Sequence, residues 1–130
     1  MTAVGLLMRL HDGWRRDRDV MVRGADYLRQ NLPDIGTQEQ LERDTYYWYY
    51  GTQVMFHMGG KHWEDWNGRL HPLLVNSQVQ EGELAGSWHP ALPVPDRWGP
   101  QAGRLYVTAL NLLSLEVYYR HLPLYENTAR

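Results

Sequence analysis

Apolar residues recur every three or four positions along most of the chain, and that spacing predicts five helices. In the first, over residues 2–11, Ala3, Leu6, Leu7 and Leu10 share a face, and His11-Asp12-Gly13 ends the run. Residues 15–19 are charged and read as a solvated turn. The second helix carries Met21, Ala25, Leu28 and Leu32 on one side and Arg23, Asp26 and Arg29 on the other, and stops at Pro33-Asp34-Ile35-Gly36. After a polar linker at 38–43 comes Asp44-Thr45-Tyr46-Tyr47-Trp48-Tyr49-Tyr50. This run reads as the start of a third helix, with Asp44 or Thr45 as N-cap and Gly59-Gly60 as its end; a buried strand over 45–50 is the rival.

Trp63, Trp66, Leu70, Leu73, Leu74 and Ser77 mark a fourth, amphipathic helix. Pro72 lies inside it, four residues after Gly68, and the pair predicts a kink or break near residue 70. Residues 79–104 form a long connection rich in glycine and proline. The fifth helix is predicted over 104–120, ending at Leu122-Pro123. Its centre, Thr108 to Val117, is apolar nearly all round, so burial on most sides is expected. Odd helices are more apolar than even ones, as two layers would require, with helices 1, 3 and 5 inside and 2 and 4 outside. The inner helices also share a threonine ahead of an apolar run, at Thr2, Thr52 and Thr108, so that the starts are 50 and 56 residues apart (52 minus 2; 108 minus 52). The expected architecture is therefore all-α: antiparallel α/α-hairpin repeats in a single domain over 1–130.

Composition narrows the function classes. Thirteen Lys and Arg against fifteen Asp and Glu give a net charge of −2, with no basic excess to gather nucleic-acid phosphates. No apolar stretch is long enough for a membrane span. The basic residues near the N-terminus follow the apolar run instead of preceding it, so no signal peptide is read there, and the compartment stays open. The absence of cysteine excludes a disulfide framework and a Cys-ligated zinc site. His57 and His62 are five apart across Gly59-Gly60 and do not share a face, so they and His71 are read as ordinary histidines; no metal or cofactor is expected. Six Trp and nine Tyr against one Phe favour a core or pocket wall with polar aromatic edges.

Two further signatures bear on family. Leu73-Leu74-Val75-Asn76-Ser77-Gln78 followed by Gly86-Ser87-Trp88 resembles the QW motif of squalene and oxidosqualene cyclases, with a longer gap between Gln78 and Gly86. In that motif the Gln amide is expected to satisfy backbone groups at a helix end while the Trp ring covers it. Arg23 to Leu28 looks like the opening half of another copy, with Leu32 where a Gln would stand. Asp44 to Thr52, Met58-Gly59-Gly60, Gly86-Ser87-Trp88 and Gly103 to Leu110 make the stretch from Asp44 to Tyr125 similar to the C-terminal part of bacterial prenyltransferase and squalene-oxidase repeat, or squalene cyclase C-terminal domain, proteins.

The resemblance implies an (α/α) toroid of which this chain supplies about two and a half hairpins. It also implies an apolar, polyprenyl-like ligand in a cavity at the N-terminal ends of the inner helices, lined here by Tyr46, Tyr47, Trp48, Tyr49 and Tyr50. The family's Asp-x-Asp-Asp acid is absent, since Asp17-Arg18-Asp19 lacks the following Asp, and the prenyltransferase zinc site needs a Cys. No catalytic residue is assigned. Asp44 is read as a cap, and Glu116 either pairs with Arg104 or Arg120 or faces the cavity. Three functions stay open: a structural or ligand-holding repeat module, the C-terminal part of a terpene cyclase or related toroid enzyme (such as a polysaccharide lyase) with its catalytic residues upstream, and an interaction scaffold that completes itself as a homo-oligomer or within a longer toroid.

Overall fold

The computed structural model describes residues 1–120, leaving aside the side chains of Tyr118 and Arg120. It is all-helical: α1 (Thr2–His11), α2 (Asp19–Gln30), α3 (Thr45–Met58), α4 (Gly60–Ser77) and α5 (Gly99–Arg120), with one isolated bridge between Gly36 and Leu41. The aromatic run at 45–50 is helical, as its cap predicts: the Asp44 carboxylate accepts the Tyr47 amide at 3.0 Å and satisfies one of the orphan N–H groups of the first turn. The expected stop of the last helix at Leu122-Pro123 lies outside the described residues.

The hairpins are set by their contacts. Gly59, at φ 70°, is the whole connection between α3 and α4, a left-handed position that favours glycine. Across that hairpin Phe56 meets Trp63, and Thr52 accepts the Trp66 indole N–H at 3.0 Å, so the two helices run antiparallel. Packing is close there. A Cβ on Gly51 would sit 2.4 Å from the Trp66 ring. The two even helices are joined by polar pairs: Asp26 with His62 at 2.8 Å, Arg29 with Asp65 at 2.7 Å, and Asp34, just beyond α2, with Arg69 at 2.7 Å. Both members advance together along the chain, so α2 and α4 are parallel.

α3 packs against α1 on one side and α5 on the other, with α4 and α2 behind it. The inner row is therefore α1, α3, α5 and the outer row α2, α4, as the alternation of apolar and amphipathic helices predicts. The core between the rows contains Leu6, Leu10, Met21, Leu28, Trp48, Met55, Trp66 and Leu74, all at most 3% exposed.

Four expectations are corrected. α4 continues through Pro72. Gly68 and Pro72 both lie on its exposed face, where a displaced carbonyl can turn to water without loss. The three threonines do not occupy equivalent places: Thr2 opens α1, whereas Thr52 lies in mid-α3 and Thr108 well inside α5. α5 begins one turn earlier than expected, at Gly99, and is interrupted by Gly103 at φ 87°, ψ 178°, which separates a leading turn from the long rod. That rod is not buried on most sides: Leu105 is 83% and Leu112 41% exposed.

Candidate functional site

The N-terminal ends of the three inner helices meet at one cleft of about 1070 Å³. Met1 to Val4 at the start of α1, Asp44, Tyr46 and Tyr47 at the start of α3 and Trp98 and Pro100 at the start of α5 border it, and Tyr27, Asn31 and Asp34 close it from the outer row. Because α1, α3 and α5 all present their first turns here, they share a direction.

Of the residues singled out in the sequence, Tyr46, Tyr47, Trp48 and Tyr50 all border the cleft. Their roles differ. Trp48 is only 2% exposed and belongs to the core. Tyr47 stands edge-on to Trp66 and donates its hydroxyl to the Asn31 carbonyl at 2.7 Å, which fastens the chain after α2 onto α3. Tyr46 and Tyr50 meet at a tilt of 57° with ring centroids 4.7 Å apart, and Tyr49 meets Tyr50 edge-on at 5.0 Å. Tyr46 remains 37% exposed towards the cleft, as do Tyr27 and Trp98 more fully. Glu116 is not among the bordering residues; it lies exposed on α5, and Arg104 donates instead to the Ser87 hydroxyl at 2.9 Å. The Arg120 side chain is outside the described residues.

Gln78, Gly86 and Trp88 come together behind α4. The Gln78 amide donates to the Gly86 carbonyl at 2.9 Å. The Trp88 indole N–H donates at 2.9 Å to the carbonyl of Leu74, one of the last four of α4 and so without a backbone N–H partner in the helix. The Trp88 amide in turn donates to Thr108 on α5 at 3.1 Å. The Trp, not the Gln, satisfies the helix end, and it is fully buried.

Two residues that sequence reasoning passed over organise the cleft floor. Asp96 is 1% exposed, and its carboxylate accepts four hydrogen bonds: from the Thr45 amide at 2.8 Å and hydroxyl at 2.6 Å, and from the amides of Trp98 at 3.0 Å and Gly99 at 2.9 Å. One carboxylate thus caps the starts of α3 and α5 together. Arg43, 3% exposed, donates to the carbonyls of His89, Leu92 and Val94, pinning the long connection beneath the cleft. Burial lowers the Arg43 pKa, and the nearby Asp96 charge opposes that shift. The signal for Asp96 was present as Asp-x-x-Gly-Pro, a turn composition ahead of a helix start.

The tyrosines are held neutral. Burial raises the Tyr47 pKa strongly, and burial followed by the charges of Asp96 and Asp44 pushes Tyr106 up to about 12. Burial and then Tyr46 raise Tyr50. Their hydroxyls are therefore hydrogen-bond donors at neutral pH, not bases, and their faces can receive apolar or cationic groups. An alkaline titration followed by phenolate absorbance should show this. In the folded chain Tyr106 should ionise only at about 12, and Tyr47 after it. A raised folded pKa means stability that is complete below about pH 10 and is lost as pH rises through the folded value. Ionisation of all nine tyrosines in one step near pH 10, with helicity unchanged, would contradict it.

Among the described residues no three His, Asp or Glu side chains cluster to hold a metal ion, and no helix is long and apolar enough to cross a membrane. Compared with protein-family models, curated proteins and solved structures, the chain finds no match.

Proposed function

We propose that this chain is a squalene-cyclase and prenyltransferase-like repeat module that holds an apolar, polyprenyl-like molecule in the cleft and has no catalytic acid of its own. The observation that carries the reading is the convergence of three parallel inner-helix starts on a cleft faced by Tyr46, Tyr50, Tyr27 and Trp98. Aromatic faces supply apolar contact area at small entropic cost, and the neutral hydroxyls leave room for one polar head group on the ligand. The QW-like arrangement of Gln78, Gly86 and Trp88 supports the family reading, because it joins the end of an outer helix to the next inner one.

Farnesol is a suitable probe. Trp98 borders the cleft at 44% exposure, so titration should quench its fluorescence saturably, with a Kd on the order of 10 μM, about −7 kcal/mol. Trp98→Phe should remove the signal, and Tyr46→Ala should weaken binding about tenfold. Squalene incubated with the pure chain should be recovered unchanged. Unsaturable quenching, or quenching indifferent to Tyr46→Ala, would sink the ligand-holding part. A cyclised product from squalene would sink the non-catalytic part.

A further inference from the structure

The rod of α5 carries a stripe that is exposed to solvent at Leu105, Leu112, Glu116 and Tyr119. Leu105, Ala109, Leu112, Glu116 and Tyr119 follow one another at intervals of four, three, four and three residues, which places them on one face. Leu105 is 83%, Leu112 41% and Tyr119 88% exposed, and Glu116 is exposed beside them. The opposite face, with Val107, Asn111, Ser114 and Val117, is buried. α1 has α2 behind it and α3 has α4, but α5 packs chiefly on α3. A helix apolar nearly all round is thus wet along the side where its two neighbours in the row each carry an outer helix.

We propose that this face of α5 pairs with the same face of a second copy of the chain, the two helices antiparallel and centred on Leu112. The stripe is self-complementary about that residue. Leu105 and Tyr119 are each seven residues from Leu112, so an antiparallel mate sets Leu105 against the partner's Tyr119 and Leu112 against itself. The charges choose the direction. In a parallel pair the Glu116 carboxylates of the two copies would face one another across the apolar seam, a repulsive and desolvating arrangement. In the antiparallel pair Glu116 falls beside Ala109 and Thr108 of the other copy, eight residues along the seam from that copy's Glu116, so the two carboxylates do not meet. The small Ala109 beside it lets the helices approach to the usual 8–10 Å or so. The intervals of four and three are those that seat side chains of one helix between those of another. A net charge of only −2 sets little long-range repulsion against association.

The test uses the whole chain. Light scattering over a concentration series should give twice the chain mass, and Leu112→Asp should return the single-chain mass with helical circular dichroism unchanged. The chain contains no cysteine, so a single introduced thiol reports geometry without background. Under mild oxidation Leu112→Cys should link to itself. Leu105→Cys alone should not, whereas an equimolar mixture of Leu105→Cys and Tyr119→Cys should. These thiol variants decide the matter even where Leu112→Asp fails to fold. A single-chain mass up to about 1 mM would overturn the proposal. So would a dimer in which Leu105→Cys links to itself, or one that Leu112→Cys does not link.

Discussion

Asp96→Ala should destabilise the chain by about 3–5 kcal/mol, because a buried acceptor with several donors is lost at once. The Thr45 amide and hydroxyl and the amides of Trp98 and Gly99 all end on this carboxylate, and replacing it with a methyl leaves them facing one another without water. Asp96→Asn separates the two halves of the effect. Its carbonyl oxygen can still serve Thr45, but its NH2 would then point at the Trp98 and Gly99 amides, donor against donor. About half of the full loss is expected. Urea unfolding followed by circular dichroism measures both. Because the same carboxylate joins the starts of α3 and α5, the alanine variant should also blunt farnesol quenching of Trp98 before it unfolds. A loss under about 1 kcal/mol for the alanine variant would mean that the four bonds are replaced by others, and the shared cap would have to be abandoned.

The helices could be read from the sequence because each advertises itself twice: by a face of apolar residues and by a cap. α3 is the clearest case, with Asp44 ahead of it and Gly59 behind, and its five adjacent aromatics were placed by those ends although they have no period of their own. The layer order was legible in the same way, since outer helices alternate wet and dry faces and inner ones do not. Asp96 and Arg43 were harder. They act from the 79–104 connection and the 38–43 linker on backbone groups about 50 residues away in sequence, and a side chain that bonds to carbonyls or amides leaves no periodic trace. Pro72 does not break α4, because its cost depends on which face it occupies, and only packing decides that. The aromatic wall was found as a run, but the run divides by function: Trp48 and Tyr47 look inward to the core, and Tyr46 and Tyr50 look to the cleft. Tyr106 of α5, which interacts electrostatically with Tyr46 and Tyr50, stands 56 residues beyond Tyr50 and shares no run with them.

Trp88→Ala should be as costly as the loss of Asp96, about 3–5 kcal/mol, the usual range for emptying a large buried aromatic site. Trp88 is fully buried and holds two elements at once: its indole N–H closes the end of α4 at the Leu74 carbonyl, and its amide fixes the chain to Thr108 of α5. Two milder variants show where the energy lies. Trp88→Phe keeps most of the volume and removes only the indole bond, so about 1–2 kcal/mol is expected, moderated by the Ser77 hydroxyl that also reaches the Leu74 carbonyl at 3.3 Å. Gln78→Ala removes a surface bond to the Gly86 carbonyl and should cost about 0.5 kcal/mol or less. The order Trp88→Ala, Trp88→Phe, Gln78→Ala in thermal or urea unfolding follows from geometry alone. A Gln78→Ala loss equal to that of Trp88→Phe would restore the expected arrangement, in which the amide terminates the helix and the ring merely shields it. If the predicted order holds, the ring closes the end of α4, and the Gln only trims the loop that delivers it.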